Sequence, residues 1–411
     1  MVLALSPNQA VYLLLCQTGQ VPSVNPPRGM RDLLPAEKTK REQLISRIRK
    51  TYASRGFQEI ETPALEALER LTSGQGGDNE KLVFKVLKRG EELDKAMAEG
   101  EDLSDLGLRF DLTVPLTRYY ASNRGSLPRV LKAIQIGPVW RAERPQKGRY
   151  RQFLQCDIDI LGEPSELAEI ELVSASLAAL DAIGLGDATI RVNDRRLLRR
   201  SLNAAGIAEN QDGAMIIIDK LDKIGIAKVA EEISEGWGDK AAANISSWLS
   251  GSSGEWPEEL SWVAKLGEQA NRLRYDPSLV RGMGYYTGAI FEIEYPGAVS
   301  SIGGGGRYDE MVGRWAGSDT PAAGISLGIE RILDLADVPA SSSKSLVVLI
   351  DQEIEGALKL QEELIAEGYN VRLERKAKNT KAQLEELAAN GWESFAYEAG
   401  TRAELDIRPL G

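Results

Sequence analysis

Between Arg141 and Arg151 the chain reads Arg-Ala-Glu-Arg-Pro-Gln-Lys-Gly-Arg-Tyr-Arg, five basic side chains against the single acid Glu143. Guanidinium forks bind phosphate oxygens through paired N–H donors, so this run suits a phosphorylated ligand; a solvated hairpin tip is the alternative. Just downstream, Leu154, Cys156, Ile158 and Ile160 alternate with Gln155, Asp157 and Asp159. A strand of that pattern has one apolar face and one face carrying two carboxylates and an amide. Arg281-Gly-Met-Gly-Tyr285-Tyr286-Thr-Gly brings an arginine and two phenols close to the backbone. Phenolic hydroxyls orient a flat polar ligand and an arginine offsets charge developing on phosphorus, although a glycine-rich turn with core tyrosines fits as well.

Three further segments carry chemistry more weakly. Gly303 to Gly306, followed by Arg307-Tyr308-Asp309, permits close approach of backbone to a ligand but equally suits a mobile loop, and it is no dinucleotide fingerprint. Asp111 and Thr113, two apart, suit an ammonium group, or Asp111 caps a helix. Gly324-Ile-Ser-Leu-Gly-Ile-Glu-Arg331 reads as a tight strand-to-helix join that aims Arg331 at a phosphate or leaves it on the surface.

These residues need elements to hold them. Leu44, Ile45, Ile48 and Tyr52 fall at helical spacing, Gly56 ends that run, and a short strand is expected over 58–62. Residues 86–107 are charged and without clear period, which suggests a surface excursion. The strongest strand pair is 131–143 with 153–161, an expected antiparallel hairpin whose polar faces line one site. A helix is expected over 166–183, a strand over 189–192, an inserted helical module over about 206–271, and strand character again over 285–295. Pro339 to Lys344, with its serines, reads as a linker. Beyond it strands alternate with helices, the pattern of a small α/β domain on a mainly parallel sheet. The earlier body mixes antiparallel strands and helices, hence α+β.

Composition bounds the chemistry. The 411 residues exceed one typical domain, and a net charge of −11 argues against binding nucleic acid by bulk charge while leaving room for a local basic patch. No histidine occurs anywhere, so Ser-His-Asp triads, histidine bases and His-ligated zinc are excluded. Two cysteines, Cys16 and Cys156, make no disulfide framework and fit a reducing compartment such as the cytoplasm. The apolar run Val11 to Leu15 is too short to span a membrane, and residues 1–27 read as an N-terminal extension.

In this order the segments resemble the three signature motifs of class II aminoacyl-tRNA synthetases, and in detail the histidyl-tRNA synthetase family. Pro27 to Pro35 resembles the family's opening segment and Gly56-Phe-Gln-Glu-Ile-Glu-Thr-Pro63 its motif 1, the dimer interface. Arg141 to Gln155 resembles motif 2. Arg281 to Gly288 and Gly304 to Asp309 resemble the two histidine signatures, and Gly324 to Arg331 motif 3. The likeness implies a class II antiparallel sheet flanked by helices over 28–335, a linker over 336–344 and an anticodon-binding domain over 345–411. It implies ATP, with Mg²⁺, bound by Arg141, Glu143 and Arg331, and Arg281, Arg141 and Gln155 as the catalytic group. The ammonium of histidine would meet Asp111, Thr113 and Gln155. Asp159 and Tyr286 would take opposite nitrogens of its imidazole, with Tyr285 and Tyr308 closing the pocket and Arg281 also among the histidine-binding residues. Gln146 and Arg151 are candidates for the acceptor end of tRNA(His), and a homodimer is expected. Gly284 departs from the aspartate that many members carry before the two tyrosines.

A second implication is the synthetase-like regulatory subunit of ATP phosphoribosyltransferase, which resembles the catalytic body without aminoacylating. Retention of Arg141, Glu143, Arg281, Arg331 and the α/β tail favours the enzyme. The missing histidines then acquire a meaning: the message for such an enzyme needs none of the amino acid that the enzyme attaches.

Overall fold

The computed structural model describes residues 24–72, 79–145, 148–251, 256–281, 284–317, 319–336, 344–351 and 354–410. Most of the expected extension, most of the linker and Gln146 lie outside the described residues.

Helical spacing of apolar residues produces the helix Pro35–Ala53, which starts with proline in its first turn and buries Leu44, Ile45, Ile48 and Tyr52. Gly56, at φ 82°, turns the chain into β1 (Gln58–Glu59). Then come β2 (Leu65–Ala67), β3 (Phe84–Leu87) and β4 (Ser104–Leu108), which form a small sheet of order β2-β4-β3. The stretch expected to be a featureless excursion therefore carries two strands and the helix Glu91–Glu99. The sheet is short and half exposed, so it imposes little hydrophobic alternation on the sequence.

The hairpin is β5 (Leu131–Trp140) and β6 (Gln152–Leu161), paired antiparallel from Leu131 opposite Leu161 to Trp140 opposite Gln152. With β7 (Thr189–Asp194), β8 (Leu273–Tyr275), β9 (Ala289–Glu294), β10 (Gly303–Arg307) and β11 (Ala322–Gly328) it builds an eight-stranded sheet of order β1-β5-β6-β11-β10-β9-β7-β8. Its interior pairs are antiparallel, and only the outer pairs, β1 with β5 and β7 with β8, are parallel. Alternation along β6 splits the core. Cys156, Ile158 and Ile160 face a layer made by helices Pro35–Ala53 and Leu167–Ala182, including Leu44, Ile48, Leu172 and Val173. Phe110, Leu116, Tyr285, Tyr286 and Tyr308 belong to the opposite layer.

Of the two readings open for the glycine run, close backbone approach and a mobile loop, the loop is not observed: the run is an interior strand, β10, between β11 and β9. One expectation shifts. The strand expected from Tyr285 begins only at Ala289, which leaves both tyrosines in the preceding turn.

Helices Gln211–Ile218, Leu221–Trp237 and Asp239–Ser250 and a 3₁₀ segment, Glu258–Arg272, fill the region between β7 and β8. The C-terminal part is β12 (Lys344–Ile350), β13 (Tyr369–Arg375), β14 (Ser394–Tyr397) and β15 (Arg408–Pro409), in the order β13-β12-β14-β15. β12 pairs in parallel with both neighbours, while β15 adds an antiparallel edge too short to read from sequence. Leu360 and Leu364 of one helix cover one face of this sheet, and Leu387 of another covers the other. Among the described residues no helix is long and apolar enough to cross a membrane.

Candidate active site

Because β6 lies inside the sheet, its polar face is buried as deeply as its apolar one: Gln155, Asp157 and Asp159 are 7%, 4% and 3% exposed. They line one cavity with Asp111, Thr113, Arg141, Arg281, Tyr285, Tyr286 and Tyr308. Space for these side chains comes from glycines on neighbouring strands. A Cβ on Gly324, opposite Asp159 in β11, would sit 1.9 Å from Asp159 Oδ1. One on Gly304 would sit 2.6 Å from Arg281 Nη1, and one on Gly306 2.8 Å from Tyr286 Cδ1. The glycine strand is therefore the floor of the cavity, and backbone approach rather than mobility explains its composition.

Tyr308 donates a hydrogen bond to Asp159 Oδ1 at 2.5 Å. Tyr285 packs against Tyr286, ring centroids 4.8 Å apart, and shares the cavity wall with Thr113. Gly284 is exposed, whereas Tyr285 is buried between the rings of Tyr286 and Tyr308. Asp111 supports the start of a helix and also faces the cavity. Its Oδ1 accepts from the Val114 N–H at 3.1 Å at the start of helix Thr113–Asn123, and its Oδ2 is buried without a partner. Gln155 donates to Ser326 Oγ at 2.7 Å and leaves its Oε1 unpaired; Asp157 Oδ1 is unpaired too. Three buried acceptors without a protein donor carry a desolvation cost. An ammonium group carries three donors and no acceptor, the complement of that set.

Burial raises all three carboxyls. Asp111 is pushed up to about 6, with the Val114 N–H and Arg141 pulling the other way. Asp159 is pushed up to about 7, with the Tyr308 hydrogen bond opposing and Asp111 adding to the rise. Burial and then the neighbouring Asp159 hold Asp157 well above the usual carboxylate range. Near neutral pH these carboxyls thus retain protons that a cationic ligand would displace.

Four arginines cluster in and beside the cavity, and of these Arg141 and Arg281 line it. Arg141 donates from Nε to the Phe110 carbonyl at 3.0 Å and lies 5.1 Å from the Phe153 ring centroid. Arg331 donates to the carbonyls of Gly148, at 3.3 Å, and Ser301, at 2.5 Å, which ties it to the β5–β6 loop. Burial, then the like charges of Arg149, Arg141 and Arg281, lowers the Arg331 guanidinium below its ordinary value. Such crowding of cations is stable only where anions are expected. Arg281 takes a left-handed backbone at φ 63°, rare for a non-glycine residue. Its Nη1 lies 3.0 Å from Glu292 Oε2.

Not every expected residue joins the cavity. Glu143 sits in the loop, 3.5 Å from Arg149, and its carbonyl accepts from Arg151 Nε at 3.0 Å. Arg151 and Arg331 also lie off the cavity wall, on the loop side. Sequence reasoning passed over Asp157, Ser326 and Glu292. Asp157 was visible in the β6 alternation, and Glu292 occupies a polar position amid Ile290, Phe291 and Ile293, but neither signal named a ligand.

An antiparallel sheet with arginines at a hairpin loop and at a strand-to-helix join, beside a pocket of buried carboxyls, defines the catalytic body of a class II aminoacyl-tRNA synthetase. A family model described as histidyl-tRNA synthetase matches residues 29–332. A histidine–tRNA ligase of Leifsonia xyli is 51% identical, the match covering 94% of this chain and 98% of that one. A crystal structure of histidyl-tRNA synthetase from Nostoc is 27% identical with a TM-score of 0.72, over 94% of this chain and 95% of that one. The chain belongs to the histidyl-tRNA synthetase family, and its activity is that of a histidine–tRNA ligase. A Bacillus halodurans structure titled ATP phosphoribosyltransferase regulatory subunit/histidyl-tRNA synthetase is 20% identical at a TM-score of 0.74, which shows a shared fold. It covers 93% of this chain and 100% of its own. The regulatory-subunit reading is not favoured.

Proposed function

We propose that the cavity binds L-histidine against ATP and that the named residues divide the work as follows. Asp111 Oδ2, Gln155 Oε1 and Asp157 Oδ1 take the ammonium, with Thr113 beside them. Asp159 and Tyr286 pair with opposite nitrogens of the imidazole, while Tyr285 and Tyr308 close around the ring. A site built on such hydrogen bonds rejects an amino acid that leaves its buried carboxylate unpaired, by roughly 10⁴ or more. Arg141 binds the α-phosphate, Glu143 the adenine side and Arg331 the γ-phosphate. A carboxylate oxygen of histidine attacks the α-phosphorus, pyrophosphate leaves, and Arg281 offsets the charge that develops. The terminal ribose hydroxyl of tRNA(His) then attacks the adenylate carbonyl and AMP departs. Gln146 and Arg151 are assigned to the acceptor end, and residues 345–411 to the anticodon.

Among the described residues no group of three or more Asp, Glu or Cys gathers as a metal site. Mg²⁺ is proposed to accompany ATP, where it would neutralise phosphate charge. A homodimer through the motif 1 segment is supported by β1 being an edge strand, and a cytoplasmic setting by the free, buried Cys156.

The observation that carries the reading is a single cavity wall containing Arg141, Asp159, Arg281 and Tyr286 together. The test is histidine-dependent exchange of pyrophosphate into ATP. Wild-type protein should exchange, and Asp159→Asn should lose most of kcat/KM for histidine. Wild-type activity in that variant would overturn the assignment.

A further inference from the structure

Arg191 of β7 lies outside the cavity, with its side chain 8% exposed among four carboxylates. Its Nε donates to Asp276 at 2.8 Å, and its Nη1 lies 3.0 Å from Asp222, 3.2 Å from Glu292 and 3.4 Å from Glu294. Glu292 is shared. One of its oxygens faces Arg191, and the other accepts from Arg281 Nη1 at 3.0 Å. A carboxylate bridging two guanidiniums fixes both in direction, because each fork is rigid and planar.

Asp222 differs from the other three. It belongs to the helix Leu221–Trp237, between β7 and β8, and its side chain is 72% exposed. A cavity of about 690 Å³ opens on this side, with Asp219, Asp222 and Lys223 on its helical wall and Arg191, Glu292 and Glu294 on the sheet wall. The Asp222–Arg191 bond crosses from one wall to the other. Arg281, at the far end of the chain of contacts, cannot rely on its own backbone: φ 63° is an unfavourable state for an L residue.

We infer that Glu292 and Arg191 are positioning residues for Arg281, and that Asp222 makes that positioning depend on the helical segment being docked on the sheet. The inference rests on the assignment of Arg281 to the reacting phosphate. With Asp222 engaged, Arg191 has a partner on each side and Glu292 keeps one oxygen for Arg281. Without it, Nη1 of Arg191 draws on Glu292 and Glu294 alone while Asp276 still holds Nε, and the hold on Arg281 slackens. Histidine binding, made by other side chains, is untouched.

The experiment uses the full chain and steady-state pyrophosphate exchange with Asp222→Asn, Glu292→Gln and the double variant. Asp222→Asn, a change at an exposed side chain, should lower kcat about 5- to 10-fold and leave KM for histidine within about 2-fold. Glu292→Gln should lose about 100-fold in kcat, and adding Asp222→Asn to it should cost nothing more, since the two act through one path. If Glu292→Gln does not fold, Glu292→Asp takes its place in the cycle. Unchanged kcat in Asp222→Asn, or losses that multiply in the double variant, would overturn the inference. Arg281→Lys separates the two readings: inactive Arg281→Lys beside fully active Asp222→Asn sinks the relay alone, whereas active Arg281→Lys sinks the Arg281 assignment and the relay with it.

Discussion

Replacing Gly324 with alanine adds one methyl group to a residue with no functional group of its own, and it should disable recognition of histidine. The new Cβ would lie 1.9 Å from Asp159 Oδ1, whereas ordinary contact starts at 3.4 Å, so the carboxylate must move by about 1.5 Å. Backbone gives little relief, because the Cβ is also 3.2 Å from the Ile158 carbonyl oxygen inside a paired strand. The displaced carboxylate loses its 2.5 Å bond from Tyr308 and its alignment with the imidazole. Misplacement of a binding group by about 1 Å costs on the order of 10² in rate, so kcat/KM for histidine should fall by roughly that factor. The cost to folding, by contrast, should stay near the 1–3 kcal/mol of a single overpacked methyl, roughly. Pyrophosphate exchange at varied histidine and at varied ATP separates the two substrates, with the loss confined to histidine. A Gly324→Ala enzyme within 2-fold of wild type would refute the claim that this glycine exists to seat Asp159.

Because the chain contains no histidine, no imidazole of its own titrates between pH 5.5 and 8, and buried carboxyls dominate that window. A carboxyl raised by folding favours the folded state at low pH and loses that advantage as pH rises through its folded value. For Asp159, at about 7, the loss over this range is about 2 kcal/mol, so the substrate-free enzyme should melt a few degrees lower at pH 8 than at pH 5.5. Asp159→Asn should flatten the slope, and a melting temperature that rises over this range would contradict it. Arg109 donates to the carbonyls of Thr62, Pro63 and Pro138, so Arg109→Ala should cost about 3 kcal/mol or more in urea unfolding; a loss under about 1 kcal/mol would contradict this. In histidine-starved cells, synthesis of this chain should outlast that of a variant carrying several surface histidines, and an equal decline would remove the idea.

Much of this site was legible because polar residues interrupting an apolar alternation need a reason. Gln155, Asp157 and Asp159 announced a polar strand face, the local charge around Arg141 suggested phosphate contact, and Arg331 stood out only by its place at a strand-to-helix join. The meeting of Gln155, Asp157, Asp159 and Arg141 with Arg281 and the tyrosines depends on β11 lying beside β6 and β10 beside β11, a sheet order no local pattern encodes. The glycine run was ambiguous for the same reason: loop and packed strand are both built from glycine, and only the neighbours decide. Glu292 stayed hidden because alternation shows that a polar residue faces away from the core, not what it meets there. The small sheet before Leu108 was missed because half-exposed edge strands place few demands on sequence.

The four glycines of β10 have a consequence at the level of the gene. A Cβ on any of them would come within 1.9 to 2.6 Å of a main-chain oxygen on a neighbouring strand: Ser326, Phe291, Gly324 or Ala289. Alanine, the mildest exchange, is already too large, and every other amino acid is larger. In glycine codons only the third base is fully degenerate, so inherited drift there should survive only at third bases. Such a stretch should stay invariant over lineages while offering a chemist nothing to react with, its fixity a record of vacant space.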